Sequence, residues 1–65
     1  MPLIIVEGPK TDIDTRRKLA QDLTRVASEA FALPEENILV ILREVGPDCV
    51  SRGGELICDK QAAGE

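Results

Sequence analysis

Sixty-five residues carrying a net charge of −4 leave room for one domain, residues 1–65, with a small aliphatic core, because Phe31 is the only aromatic. The eight Lys and Arg residues are scattered rather than gathered into a patch, and bases would find nothing to stack on, which argues against a nucleic-acid partner. Histidine is missing and the two cysteines, Cys49 and Cys58, lie outside any zinc spacing, so no metal is expected and partner subunits become the expected stabiliser of so short a chain.

The chain begins Met1-Pro2 and runs at once into Leu3-Ile4-Ile5-Val6. That run is too short for a signal peptide or a membrane span and has no basic residues before it, so a cytoplasmic protein with two free thiols is expected. A Cys49–Cys58 bridge is open to the chain, but nothing in it marks secretion. The run is apolar without alternation and predicts a strand covered on both faces. Gly8-Pro9 should end it.

Asp12 or Asp14 can cap the helix that follows, since either carboxylate can accept first-turn N–H groups. Leu19, Leu23, Val26, Ala27, Ala30 and Phe31 recur at helical spacing and predict one buried face up to about Ala32. Arg16, Arg17 and Lys18 are read as a solvated face. Pro34 stops the helix, because the residue before a proline avoids helical dihedrals.

Ile38–Leu42 predict a second strand, again apolar on both faces, with Arg43-Glu44 carrying it to the surface. Strand, long helix and strand form a β-α-β unit with two parallel strands and a right-handed crossover. One helix can cover only one face of that sheet, so dimerisation should complete it. Gly46-Pro47-Asp48 is a turn, residues 49–52 are irregular, and Gly53-Gly54 forms a corner. Leu56-Ile57-Cys58 predict a third strand or the arm of a short C-terminal hairpin, and the tail from Gln61 to Glu65 is expected to be loose.

Pro2 has a chemical reading of its own. Once Met1 is trimmed, its nitrogen is a secondary amine rather than an amide. Unperturbed α-amino groups titrate at roughly 7.7–8.0, and burial or nearby cations lower that value. A base poised near neutral pH suits general acid–base catalysis.

Taken together, Pro2 ahead of an apolar strand, the β-α-β layout, Pro34 between helix and second strand, and Gly53-Gly54-Glu55-Leu56 resemble the 4-oxalocrotonate tautomerase family. The Gly8-Pro9-Lys10 turn is most similar to its DmpI-type subgroup. The resemblance implies an α+β subunit and a dimer with a four-stranded sheet, usually assembled as a hexamer from three dimers. It also implies cofactor-free catalysis: the proline amine takes a proton from an enol or unsaturated keto acid and returns it elsewhere along the conjugated system.

Pro2 matches the family's catalytic proline directly, whereas the substrate-binding positions depart from the pattern. Leu39 stands where typical members carry an arginine for the substrate carboxylate. Arg43 lies on the same strand face, but four residues on, roughly 13 Å away. Lys10 is the nearest counterpart of a second family arginine and lacks the bidentate fork. Val50 replaces an aromatic wall residue, and Arg52 is a further candidate cation. The pocket is therefore expected to be more apolar and to act weakly on dicarboxylate enols. The alternative is a non-catalytic oligomeric binding or scaffold module of the same fold, and hydration or dehalogenation of unsaturated acids is further chemistry the family offers.

Overall fold

The computed structural model describes residues 1–64 and the side chains of residues 1–60. Strand β1 (Leu3–Gly8) leads through a short connection into helix α1 (Ile13–Phe31). A single 3-10 turn over Glu35–Asn37 then precedes β2 (Leu39–Glu44). The two strands pair in parallel, with Leu3 opposite Leu39 and Gly8 opposite Glu44. β1 thus outlasts its apolar run by two residues, and β2 starts one residue later than Ile38 and ends two later than Leu42. Both strands are extended by polar residues because Glu7 and Gly8 find partners in Arg43 and Glu44.

Local chemistry sets the ends of α1. Asp12 is the cap: its backbone is extended and its carboxylate accepts the Thr15 amide at 3.0 Å. That carboxyl is held below the usual range, first by the hydrogen bonds from Thr15. The other end closes on Ala32, which takes the left-handed conformation (φ 55°) while its amide and that of Leu33 both donate to the Ser28 carbonyl. On the outer face Asp22 lies between Lys18 and Arg25, and the hydrogen bond from Lys18, then that from Arg25, pulls its carboxyl down. Arg17 pairs with Asp14 in the same way, so the run Arg16–Lys18 is largely a solvated, ion-paired face.

One helix face packs on one sheet face. Ile4, Val6, Val40 and Leu42 are half-buried beneath α1, and Ala27 is the one buried residue among those described. The expected helical core is narrower than its sequence pattern. Leu23 and Ala27 pack inward with Ala20, whereas Leu19, Val26, Ala30 and Phe31 are exposed. Two strands are too few to cover the whole stripe. The other sheet face carries Leu3, Ile5, Leu39 and Ile41, all exposed.

Beyond Val45 the chain departs from expectation. Ser51–Arg52 (β3) and Glu55–Leu56 (β4) form an antiparallel hairpin, so half of the segment read as irregular is strand. Gly53 and Gly54 both have positive φ (64° and 86°), as a two-residue hairpin turn of this hand requires. Ile57 and Cys58 are not strand: they open helix α2 (Ile57–Gly64), which also takes up the tail expected to be loose, and Glu65 lies outside the described residues. Hairpin and α2 touch chiefly each other. The chain measures 47 × 25 × 15 Å with a radius of gyration of 15.7 Å, against roughly 11 Å for a compact chain of this length. A chain so elongated leaves much of its apolar surface uncovered.

Candidate active site

Pro2 stands immediately before β1, half-buried, and its carbonyl accepts the Leu39 amide at 3.0 Å. This bond fixes the proline to the sheet through its carbonyl, so the position does not depend on what is attached to the nitrogen. Met1 is 93% exposed. Removing it would cost almost no packing and would convert the Pro2 nitrogen from an amide into an amine whose lone pair can take a proton. Leu39, its hydrogen-bond partner, turns its side chain to the uncovered sheet face and brings no charge to the proline.

The remaining candidates lie elsewhere. Lys10 follows β1 at its carboxyl end, exposed, and Arg43 sits near the same end of β2. With β1 spanning six residues, roughly 20 Å separates that end from Pro2. Arg43 is also engaged: its guanidinium donates to Glu7 at 3.3 Å directly across the strands. Val50 and Arg52 are exposed on the arm rooted just after β2, again at the end away from Pro2. Within one chain, then, Pro2 and Leu39 are brought together, and Lys10, Arg43, Val50 and Arg52 are not brought to them.

The surface hollows agree with this division. A cavity of about 130 Å³ opens at the carboxyl ends of the strands, lined by Val6, Pro9, Thr11, Arg16, Leu42 and Arg43 among others. A wider groove of about 490 Å³ runs along the first turns of α1 past Asp14, Lys18 and Leu19. Neither touches Pro2. At the smaller one Arg16 reaches Glu44 at 3.7 Å, tying the first turn of α1 to the end of β2. Among the described residues no group of three His, Cys, Asp or Glu could hold a metal ion, and no described helix is long and apolar enough to cross a membrane. Glu7, an ordinary surface carboxylate by its sequence neighbours, gains an ion-pair partner in Arg43. Its signal was the strand register, because pairing Leu3 with Leu39 also sets Glu7 against Arg43.

Comparison with known proteins bears on this arrangement directly. The family model described as "Tautomerase enzyme" matches residues 2–60, beginning at Pro2. A probable tautomerase of Bacillus cereus is 33% identical over 61 residues, covering 92% of this chain and all of the relative. The chain belongs to the tautomerase family.

Two solved structures show how closely it keeps the tautomerase fold. TomN, a 4-oxalocrotonate tautomerase homologue in the tomaymycin biosynthetic pathway, superposes with a TM-score of 0.86 at 28% identity, covering 98% of this chain and all of TomN. DmpI from Archaeoglobus fulgidus gives a TM-score of 0.79 at 36% identity, covering 89% of this chain and all of that one. The β-α-β subunit with its short C-terminal strands is thus the tautomerase fold, the DmpI relationship included.

Proposed function

We propose that this protein is a cofactor-independent isomerase in which Pro2, freed of Met1, serves as both general base and general acid on an enol or unsaturated keto acid. The observation that carries the reading is the Leu39 amide on the Pro2 carbonyl, with Met1 exposed beyond it. The proline is anchored, yet its nitrogen can be uncovered without disturbing the fold. In the reaction the amine takes a proton from the enol hydroxyl, or from the carbon beside the carbonyl. As the protonated amine it returns that proton at the other end of the conjugated system. One double bond moves, nothing is oxidised, and the proline ends as it began.

A complete site on this reading needs more than one chain. The uncovered sheet face and the exposed side chains of Leu19, Val26 and Phe31 support a homo-oligomer. Each such side chain, once covered, adds on the order of 1.5 kcal/mol or more. A trimer of dimers is the assembly the family resemblance implies, and in it Lys10 and Arg52 of neighbouring chains are the cations available to a substrate carboxylate. With Leu39 beside Pro2 the pocket suits an enol of low charge better than a dicarboxylate. The test combines the intact mass of natively produced protein with ketonisation rates on phenylenolpyruvate and 2-hydroxymuconate. A mass lacking Met1, with a rate abolished in Pro2→Ala, supports the reading. Retained methionine, or a rate indifferent to Pro2, refutes it.

A further inference from the structure

The hairpin brings together the two segments that carry the chain's cysteines. Arg52 faces Glu55 and Ser51 faces Leu56, so each facing pair moves one residue outward on both strands. The next pair is Val50 and Ile57, and there the Ile57 amide donates to the Val50 carbonyl at 2.8 Å, so the pairing persists beyond the strands themselves. Beyond that bond the ladder stops, because Cys49 lies outside β3 and Cys58 is in the first turn of α2. A second bond holds the two segments together here: the Cys58 amide donates to the Pro47 carbonyl at 3.0 Å. Cys49 thus lies between Pro47 and Val50, the two residues bonded to Cys58 and Ile57, and the segments carrying the thiols are held against each other as a disulfide, with its short Cα separation, requires. Both thiols are free, Cys49 exposed and Cys58 half-buried with its S–H directed to Asp59 Oδ1 at 3.8 Å.

We propose that Cys49 and Cys58 form a reversible disulfide that closes the base of the β3–β4 hairpin, a redox modification site distinct from the proline chemistry and independent of the tautomerase reading. The oxidant is a low-molecular-weight disulfide such as oxidised glutathione. Cys49, the exposed thiol, attacks it as the thiolate, forming a mixed disulfide and releasing one small thiolate. The Cys58 thiolate then attacks the Cys49 sulfur, forming the bridge and releasing the second. The two electrons and two protons leave on the two small thiols. Closure fixes the hairpin that bears Val50 and Arg52 relative to the start of α2.

The test equilibrates the folded full-length protein with mixtures of reduced and oxidised glutathione, quenches with acid and reads intact mass. The expected product is a chain two hydrogens lighter than the reduced one. Arg43, Arg52 and Lys60 are tryptic sites that separate the cysteines, so non-reducing digestion should yield residues 44–52 linked to 53–60. Closure should be about a hundredfold more favourable in the folded chain than in the same chain unfolded in urea. Cys49→Ser and Cys58→Ser, each first shown to keep its helical circular dichroism, should take up one glutathione and show no closure. Glutathione on both cysteines without the linked peptides, a bridge between chains instead of within one, or equal closure in folded and unfolded chains would overturn the proposal.

Discussion

Arg43 and Glu7 stand opposite each other across β1 and β2, guanidinium to carboxylate at 3.3 Å, on the sheet face that α1 leaves open. An arginine so placed already has a carboxylate partner within its own chain, and on the proposed function it is not the cation that holds substrate. Arg43→Ala should therefore leave kcat/KM on phenylenolpyruvate within about threefold, because removing an exposed pair costs only about 0–1 kcal/mol. The double change with Glu7→Ala should match the single one. A hundredfold loss in Arg43→Ala alone would show that Arg43 reaches substrate.

Replacing Pro2 tests the chemistry itself. A positioned general acid–base group contributes roughly 10²- to 10⁴-fold, so Pro2→Ala should lower kcat by at least about 10²-fold. The Leu39 amide would still find a backbone carbonyl at position 2, so circular dichroism and melting temperature should hardly change.

Leu39→Arg should shift preference among substrates. A charge-assisted hydrogen bond to a carboxylate contributes about 1.5–3 kcal/mol, which corresponds to roughly 10- to 100-fold. The variant should therefore gain at least about tenfold on 2-hydroxymuconate relative to phenylenolpyruvate. An unchanged ratio would mean that position 39 does not face substrate.

Asp12 gives α1 a stability component that depends on pH. Its folded-state pKa is depressed by the bonds from Thr15. Its stabilisation is thus fully present above the unfolded carboxyl value of about 3.9 and is lost as pH falls through the lower folded value. Asp12→Ala should melt below the parent at pH 7, with the gap narrowing only under acid conditions. Melting curves at matched protein concentration check this, and a gap independent of pH would contradict it.

Ala32 holds a left-handed backbone (φ 55°) that costs an L-residue roughly 1 kcal/mol or more and glycine far less. Ala32→Gly should raise stability by about 1 kcal/mol, read from chemical denaturation. A loss would mean that the methyl group packs in the assembled protein.

The β-α-β frame was legible because its signals are local. Asp12 precedes a long apolar period, Pro34 follows it, and Gly53-Gly54 demands positive φ. Helix α2 was not legible. Ile57-Cys58 look like strand in isolation, and the switch from strand β4 to helix directly after Leu56 has no marker of its own. The candidate site was legible only at Pro2, where the chemistry belongs to one residue and its nitrogen. Lys10, Val50 and Arg52 could be named from family likeness, but on the proposed function a neighbouring chain would have to supply them. A sequence describes one chain, and in that chain they lie at the far end of the strands. Leu19, Val26 and Phe31 teach the same lesson: their period predicted burial, and one subunit has no surface to bury them against.

A sheet made of β1 and β2 alone has no interior strand, so each of its strands is an edge. The outer backbone groups of both lie open, and such edges accept any extended chain because main-chain bonds read no side chains. A newly made copy is thus a template for indiscriminate β-addition until a proper neighbour caps it. On the proposed homo-oligomer, fast and correct association is then part of folding, and a variant that slows association should aggregate even when its own helix and strands are intact.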